Sequence, residues 1–278
     1  MYINCKLISK KIEEDVKRRI EELGFSPKLI SITSKSDYPT LSYLEAQRKR
    51  SKKLGIEFDI IEISPEKLPK IVEKISADKN VHGILVTRPL PEGINEFDVL
   101  SKIDPSKDIE GVTPYNLGLL VYGKEIFPPC TAESIIRILE SESTISGKKI
   151  VIIGRSVTVG KPLAIMLLRK GRDATVTVCH SKTKNLFDIT RQSEILIVAV
   201  GKASFIKPEH VREEAIVVDV GINFVDGKII GDVDSEVEKI AKLTPVPGGV
   251  GKVTTMLLME HVVKSAEMSV YGRNEIGF

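Results

Sequence analysis

Residues 150–163 read IVIIGRSVTVGKPL. The β-branched run Ile150 to Ile153 fits a strand buried on both faces, as a parallel sheet covered by helices requires. It stops at Gly154, and Gly160 comes after five intervening residues. A Walker A loop has a shorter spacing and a hydroxyl residue after its lysine, whereas here Pro162 follows Lys161 and nothing is placed to hold magnesium. The dinucleotide pattern GxGxxG fails as well, because Ser156 stands at its second glycine. The physical requirement behind both patterns is still met. Gly154 can end the strand in a tight turn, and Gly160 can let the next helix lie close to the sheet. Pro162 suits the first turn of a helix, where its missing N–H costs nothing. The free N–H groups and positive dipole end of that helix then suit a pyrophosphate. A plain structural turn is the competing account of the spacing.

The next strand bears on which nucleotide. A site for NAD places an acid about 20 residues on, to bind the ribose hydroxyls. Here ATVTV (174–178) runs into Cys179, His180, Ser181 and Lys182, with no acid. Arg155 lies on the glycine loop itself. Cations and a hydroxyl suit a 2′-phosphate through charge-assisted hydrogen bonds, which favours NADP. Ordinary surface cations are the alternative. His180 is far in sequence from His82, His210 and His261, and no metal-ligand spacing occurs.

The remaining composition fits this reading. The chain has 278 residues, enough for two domains. Hydrophobic residues make up 42% and charged ones 28%, as in a folded globular protein. A net charge of +3 is too near balance to imply nucleic acid or membrane. The run QRKRSKK (47–53) has no interleaved aromatics and reads as a solvated helix face. Cys5, Cys130 and Cys179 form no CxxC pair, which fits reduced thiols in the cytoplasm. No apolar stretch approaches the ~20 residues of a membrane span.

Short apolar runs at 29–33, 83–87, 149–154, 174–179, 194–201 and 215–221 read as strands. Amphipathic stretches at 9–23, 41–54, 66–77, 131–141, 161–171 and 233–242, and a last one from 254, read as helices. Such alternation predicts an α/β class with parallel sheets. Residues 111–130, rich in Gly and Pro and without a clear period, read as the passage between two domains.

The motifs GILVTRPLP (83–91), KDIEGVTPYN (107–116), PPCT (128–131), GRSVTVGKP (154–162), HSKT (180–183), VDVGIN (218–223) and TPVPGGVG (244–251) occur in that order. In them the chain resembles the methylenetetrahydrofolate dehydrogenase/methenyltetrahydrofolate cyclohydrolase family (FolD type) over nearly its full length. The resemblance implies an N-terminal α/β domain and a Rossmann-type NADP-binding domain with a cleft between them, and usually a homodimer. The boundaries expected are 1–117 for the folate-binding catalytic domain, completed by a C-terminal helix over 254–278, and 118–253 for the NADP-binding domain. Gly154, Arg155, Ser156, Ser181 and Ile222 match the family's cofactor-contacting positions. Pro247, Gly248 and Gly249 match the turn between cofactor and folate.

The family passes a hydride from 5,10-methylenetetrahydrofolate to NADP, and water then opens the methenyl product to 10-formyltetrahydrofolate. Its usual site has a Tyr and a Lys four residues apart on one helix, a Gln ending a strand, and an Asp. This chain keeps only the tyrosine, Tyr43. Gln47 stands in place of the lysine, Thr87 of the glutamine and Glu110 of the aspartate. Tyr43 and Gln47 fall within roughly 40° on one helical face. Glu110 can still accept hydrogen bonds from a pterin, and Thr87 can donate one. A carboxamide cannot titrate, so Gln47 can only orient water or substrate. Lys49 lies about 120° off that face, and Arg50, nearly on it, keeps its proton. Lys252 also departs from the family's usual proline. The expectation is an NADP-dependent dehydrogenase with weakened hydrolysis. The alternatives are a dehydrogenase acting only on a related tetrahydropterin, or a non-catalytic NADP-binding protein.

Overall fold

A computed structural model describes residues 1–34 and 38–272 and omits the side chains of Tyr38, Pro39, Ser42 and Tyr43. The contacts divide the chain into two compact units. One holds Met1–Lys10 with Thr131–Thr254, and the other Lys11–Cys130 with the chain from Thr255 on.

The second of these is built on three parallel strands. Helix α1 (Cys5–Leu23) leads to β1 (Lys28–Thr33), α2 (Tyr38–Leu54), β2 (Glu57–Glu62), α3 (Leu68–Ser76) and β3 (Gly83–Val86), in the order β2-β1-β3. The central strand β1 is buried from Leu29 to Thr33, as a strand covered on both faces must be. Ile30, Ile32, Ile84 and Val86 pack there with Leu68, Val72 and Ile75 of α3. Strand β2 is absent from the sequence reading. Its acids Glu57 and Asp59 are exposed beside buried Phe58, the charged face of an edge strand. Helix α4 (Glu96–Leu100) comes next, capped by the Asn95 side chain.

Residues 111–130 are more ordered than their Gly and Pro content predicts. They contain α5 (Pro114–Tyr122). Thr113 caps it by accepting from Asn116 N–H, Pro114 opens it, and Gly123 closes it at φ 67°. Its residues are apolar nearly all round, so no helical period is visible in the sequence.

The other unit carries α6 (Cys130–Glu142), β4 (Lys149–Ile153), α7 (Gly160–Leu167), β5 (Thr175–Cys179), α8 (Leu186–Thr190), β6 (Ile195–Val198), β7 (Ile216–Asp219), a hairpin of β8 (Asn223–Val225) and β9 (Lys228–Ile230), and β10 (Lys242–Leu243). Its sheet runs β10-β7-β6-β4-β5, every pair parallel. The chain passes from β4 to β5 on one side and then crosses to β6 on the other. That puts the topological switch point between β4 and β6. Val151, Ile153, Leu196, Val198 and Val217 form the core of one face.

The helix predicted over 233–242 is only a 3-10 turn, Ser235–Lys239. Val233 is bridged to Ile206 before it and Lys242 pairs with Ile216 after it, so both ends of the stretch are held in extended pairing. Helix α7 also stops short of 171, and Gly171 adopts φ 93° beyond its end. The last helix, α9 (Val250–Tyr271), begins earlier than predicted. Among the described residues no helix is long and apolar enough to cross a membrane.

Candidate active site

In the five-stranded unit the predicted cofactor residues gather at the carboxyl ends of the strands. Gly154 N–H donates to Cys179 O at 2.9 Å, extending the β4–β5 ladder by one residue. Gly154 then turns at φ 127°, and a Cβ there would sit 2.4 Å from Ala199 O, past the end of β6. A Cβ on Gly160 would sit 2.0 Å from Gly154 O. Both glycines are therefore required by close backbone approach at the switch point, as the sequence reading expects of them. Val159 precedes α7 and offers no side-chain cap. The positive end of the α7 dipole faces the loop that Gly154 opens. Ser156 shapes the loop, its Oγ accepting from Val159 N–H at 3.1 Å and its backbone O from Lys161 N–H at 3.1 Å. Arg155 lies beside it on the same loop.

At the end of β5, His180 N–H donates to Thr183 Oγ1 at 2.9 Å and Thr183 N–H to His180 O at 2.8 Å. This closes a turn with Ser181 and Lys182 exposed on its tip. His180 Nδ1 accepts from Lys182 N–H at 3.2 Å, a loop-end role. Ile222 lies just past β7 and is 59% exposed. After β10, Thr244 leads into Pro247, Gly248 (φ 101°) and Gly249, where a Cβ would meet Pro245 O at 2.3 Å. Among the described residues no group of His, Cys, Asp or Glu is arranged to hold a metal.

The three-stranded unit carries the other candidates. Tyr43 lies in α2, and its side chain falls outside the described residues. Gln47, one turn on, is 3% exposed, and among the described residues neither its amide oxygen nor its nitrogen has a hydrogen-bond partner. Thr87 lies just past β3, and its hydroxyl is engaged with Thr33 Oγ1 at 2.9 Å.

Glu110 is held by two features of its loop. Asp108 accepts from the N–H groups of Val112 (3.1 Å) and Thr113 (2.8 Å) and from Asn116 Nδ2 (2.9 Å). Gly111, at φ 69°, presses against Pro128, where a Cβ would lie 2.4 Å from the carbonyl. The Glu110 carboxylate pairs with Arg88 Nη2 at 2.6 Å, and Arg88 Nη1 reaches Glu96 at 3.1 Å. Burial raises the Glu110 carboxyl above its ordinary value, and the Arg88 charge only partly reverses this. The residue after Thr87 is thus what joins the strand end to Glu110. Arg88 is not among the predicted site residues, although its place between Thr87 and Pro89 is visible in the sequence.

Comparison with known proteins gives the family. Residues 3–110 match the model of the tetrahydrofolate dehydrogenase/cyclohydrolase catalytic domain, and residues 129–270 that of its NAD(P)-binding domain. The bifunctional protein FolD of Thermotoga maritima is 59% identical over 267 residues, 96% of this chain and 98% of that one. The crystal structure of the FolD methylenetetrahydrofolate dehydrogenase/cyclohydrolase from Campylobacter jejuni matches with a TM-score of 0.91 and 40% identity, covering 96% and 98% of the two chains. The FolD structure of Trypanosoma brucei complexed with NADP cofactor and inhibitor matches with a TM-score of 0.90 and 31% identity, covering 98% of each. Both halves of the chain and a relative of its full length thus agree: this chain belongs to the tetrahydrofolate dehydrogenase/cyclohydrolase family.

Proposed function

We propose that the protein oxidises 5,10-methylenetetrahydrofolate to 5,10-methenyltetrahydrofolate with NADP, and hydrolyses the product to 10-formyltetrahydrofolate in a slower second step. The observation that carries the first half is the pair Gly154 and Gly160, wedged against backbone at the switch point of a parallel sheet. NADP supplies the hydride acceptor. Arg155 and Ser181 bind its 2′-phosphate, Gly154 and Ser156 shape the pyrophosphate turn, and Ile222 backs the nicotinamide. Pro247, Gly248 and Gly249 form the turn that meets the folate.

In the other unit Glu110 accepts hydrogen bonds from the pterin amino and ring N–H groups, and Tyr43 lines the substrate. Hydride transfer needs donor and acceptor carbons held in contact, which is worth ~7–11 kcal/mol and requires no proton carrier. Hydrolysis is different, because water must lose a proton as it attacks the methenyl carbon. General base help is typically worth ~10²–10⁴-fold. Gln47 can orient that water but cannot take its proton.

Production of NADPH from 5,10-methylenetetrahydrofolate, with NADP much preferred to NAD, is the expected result with purified protein. Binding of NADP without turnover would make the chain a non-catalytic nucleotide-binding protein. A second reading, a dehydrogenase acting only on a related tetrahydropterin, is favoured by one observation. The Thr87 hydroxyl, where the family has a longer glutamine, is turned to Thr33. Higher turnover with a tetrahydropterin other than tetrahydrofolate would select it. The resemblance also supports a cytoplasmic homodimer. Sedimentation at a mass of two chains tests the assembly.

A further inference from the structure

Two buried aspartates lie under the strand ends of the five-stranded unit, and neither contacts the cofactor or substrate positions assigned to this family. Asp219 is 2% exposed and Asp232 is fully buried. Asp232 Oδ2 accepts from Val200 N–H at 2.7 Å and Gly201 N–H at 2.9 Å, and its Oδ1 from Lys202 N–H at 2.8 Å and Asn223 Nδ2 at 2.9 Å. Asp219 Oδ1 accepts from the N–H groups of Gly221 and Asp232, both at 2.9 Å, and its Oδ2 from Val233 N–H at 2.9 Å. Asp219 N–H donates to Thr244 Oγ1 at 2.8 Å, at the start of the turn to Pro247. A Cβ on Gly221 would lie 2.2 Å from the Asp232 carboxylate, and one on Gly231 1.8 Å from that of Asp219. The loop after β6, the loop after β7 and the turn after β10 are thus pinned to one another.

Burying two carboxyl groups side by side is costly unless every oxygen is hydrogen-bonded, and seven donors here meet that need. The position explains the expense. The 2′-phosphate turn with Ser181 lies at the end of β5, on one side of β4. The nicotinamide half of a dinucleotide must then extend the other way, over the ends of β6 and β7. Those ends are residues 199–202 and 220–223, the segments that the two carboxylates hold.

We propose that Asp219 and Asp232 are positioning residues for hydride transfer, setting the floor on which the nicotinamide rests without touching it. This rests on the reading that NADP fills the crevice. Asp232→Asn turns an NH₂ toward backbone donors and releases at least one of them. Misplacement by ~1 Å is enough to cost about 10²-fold in rate. The test is a split on intact protein, with Asn223→Ala as a milder second variant that takes one of the four donors from Asp232, along with a bond to Ile230 O. NADP affinity by calorimetry should stay within about 3-fold in both variants, because the contacts at Arg155 and Ser181 remain. The kcat should fall about 100-fold in Asp232→Asn and about 5-fold in Asn223→Ala. In both, the isotope effect from deuterium on the methylene carbon should rise toward its full value. Unchanged kcat in both variants, or equal losses of affinity and kcat with no change in isotope effect, overturns the proposal. Wild-type protein that never reduces NADP overturns the functional reading along with it.

Discussion

Arg88 Nη2 donates to Glu110 Oε1 at 2.6 Å, tying the end of β3 to the loop beyond Ile109. The Glu110 carboxyl is raised from its ordinary 4.5 by burial, with Asp108 and Glu96 adding to the rise and Arg88 opposing it. In the proposed role the ionised form is the one that accepts from the pterin. Catalytic efficiency toward the folate should therefore fall on acidification, at a pH above that of an ordinary glutamate. Arg88→Met removes the opposing charge, so the carboxyl climbs further and the acid limb moves to higher pH. A pH profile of kcat/KM for the two proteins checks this. A limb that stays in place, or moves down, contradicts it.

Gly154→Ala and Gly160→Ala each drive a Cβ into backbone that cannot yield cheaply. Each should cost about 1–3 kcal/mol of stability and weaken NADP binding by about 10-fold or more. Denaturant melts and calorimetry read the two effects. Full-strength NADP binding by either variant would mean that the loop is not the pyrophosphate cradle.

The 2′-phosphate role proposed for Arg155 and Ser181 predicts a selective loss. Arg155→Ala and Ser181→Ala should raise the KM for NADP by about 10- to 100-fold, the worth of one charge-assisted hydrogen bond. The weak KM for NAD should hardly change, since NAD lacks the phosphate. Parallel losses for both nucleotides would place these residues elsewhere.

Among the described residues Gln47 has both amide atoms buried and unpartnered. Gln47→Leu removes the unpaired polar group at similar size, so the melting temperature should hold or rise while folate turnover falls. Gln47→Lys should lower stability, because a buried cation is costly, and raise hydrolysis. A lysine variant that hydrolyses no faster would show that the missing proton carrier is not what limits this step.

The parts of the fold that were legible share a cause. Strands β1, β4, β6 and β7 are buried on both faces, so Leu29–Ile32 or Ile150–Ile153 reads as an apolar run whatever its neighbours. Strand β2 lies at an edge, where Glu57 and Asp59 break the pattern, and α5 hides because its face has no polar side to set a period. In the site, the glycines were legible because their spacing is itself the constraint. The Arg88–Glu110 pair and the Asp219–Asp232 network were not, because their partners are 22 and 13 residues apart along the chain and meet only through the strand ends. A lone Asp closing IVVD signals a buried carboxylate, but its second partner cannot be read from sequence.

Following NADPH and the methenyl species together in one reaction tests the central claim most directly. With 5,10-methylenetetrahydrofolate and NADP, NADPH should form at once and the methenyl species should accumulate, decaying to 10-formyltetrahydrofolate with a lag. NADPH and formyl product rising in step, with no methenyl build-up, would contradict the account of Gln47, and no NADPH at all would contradict the assignment of the reaction.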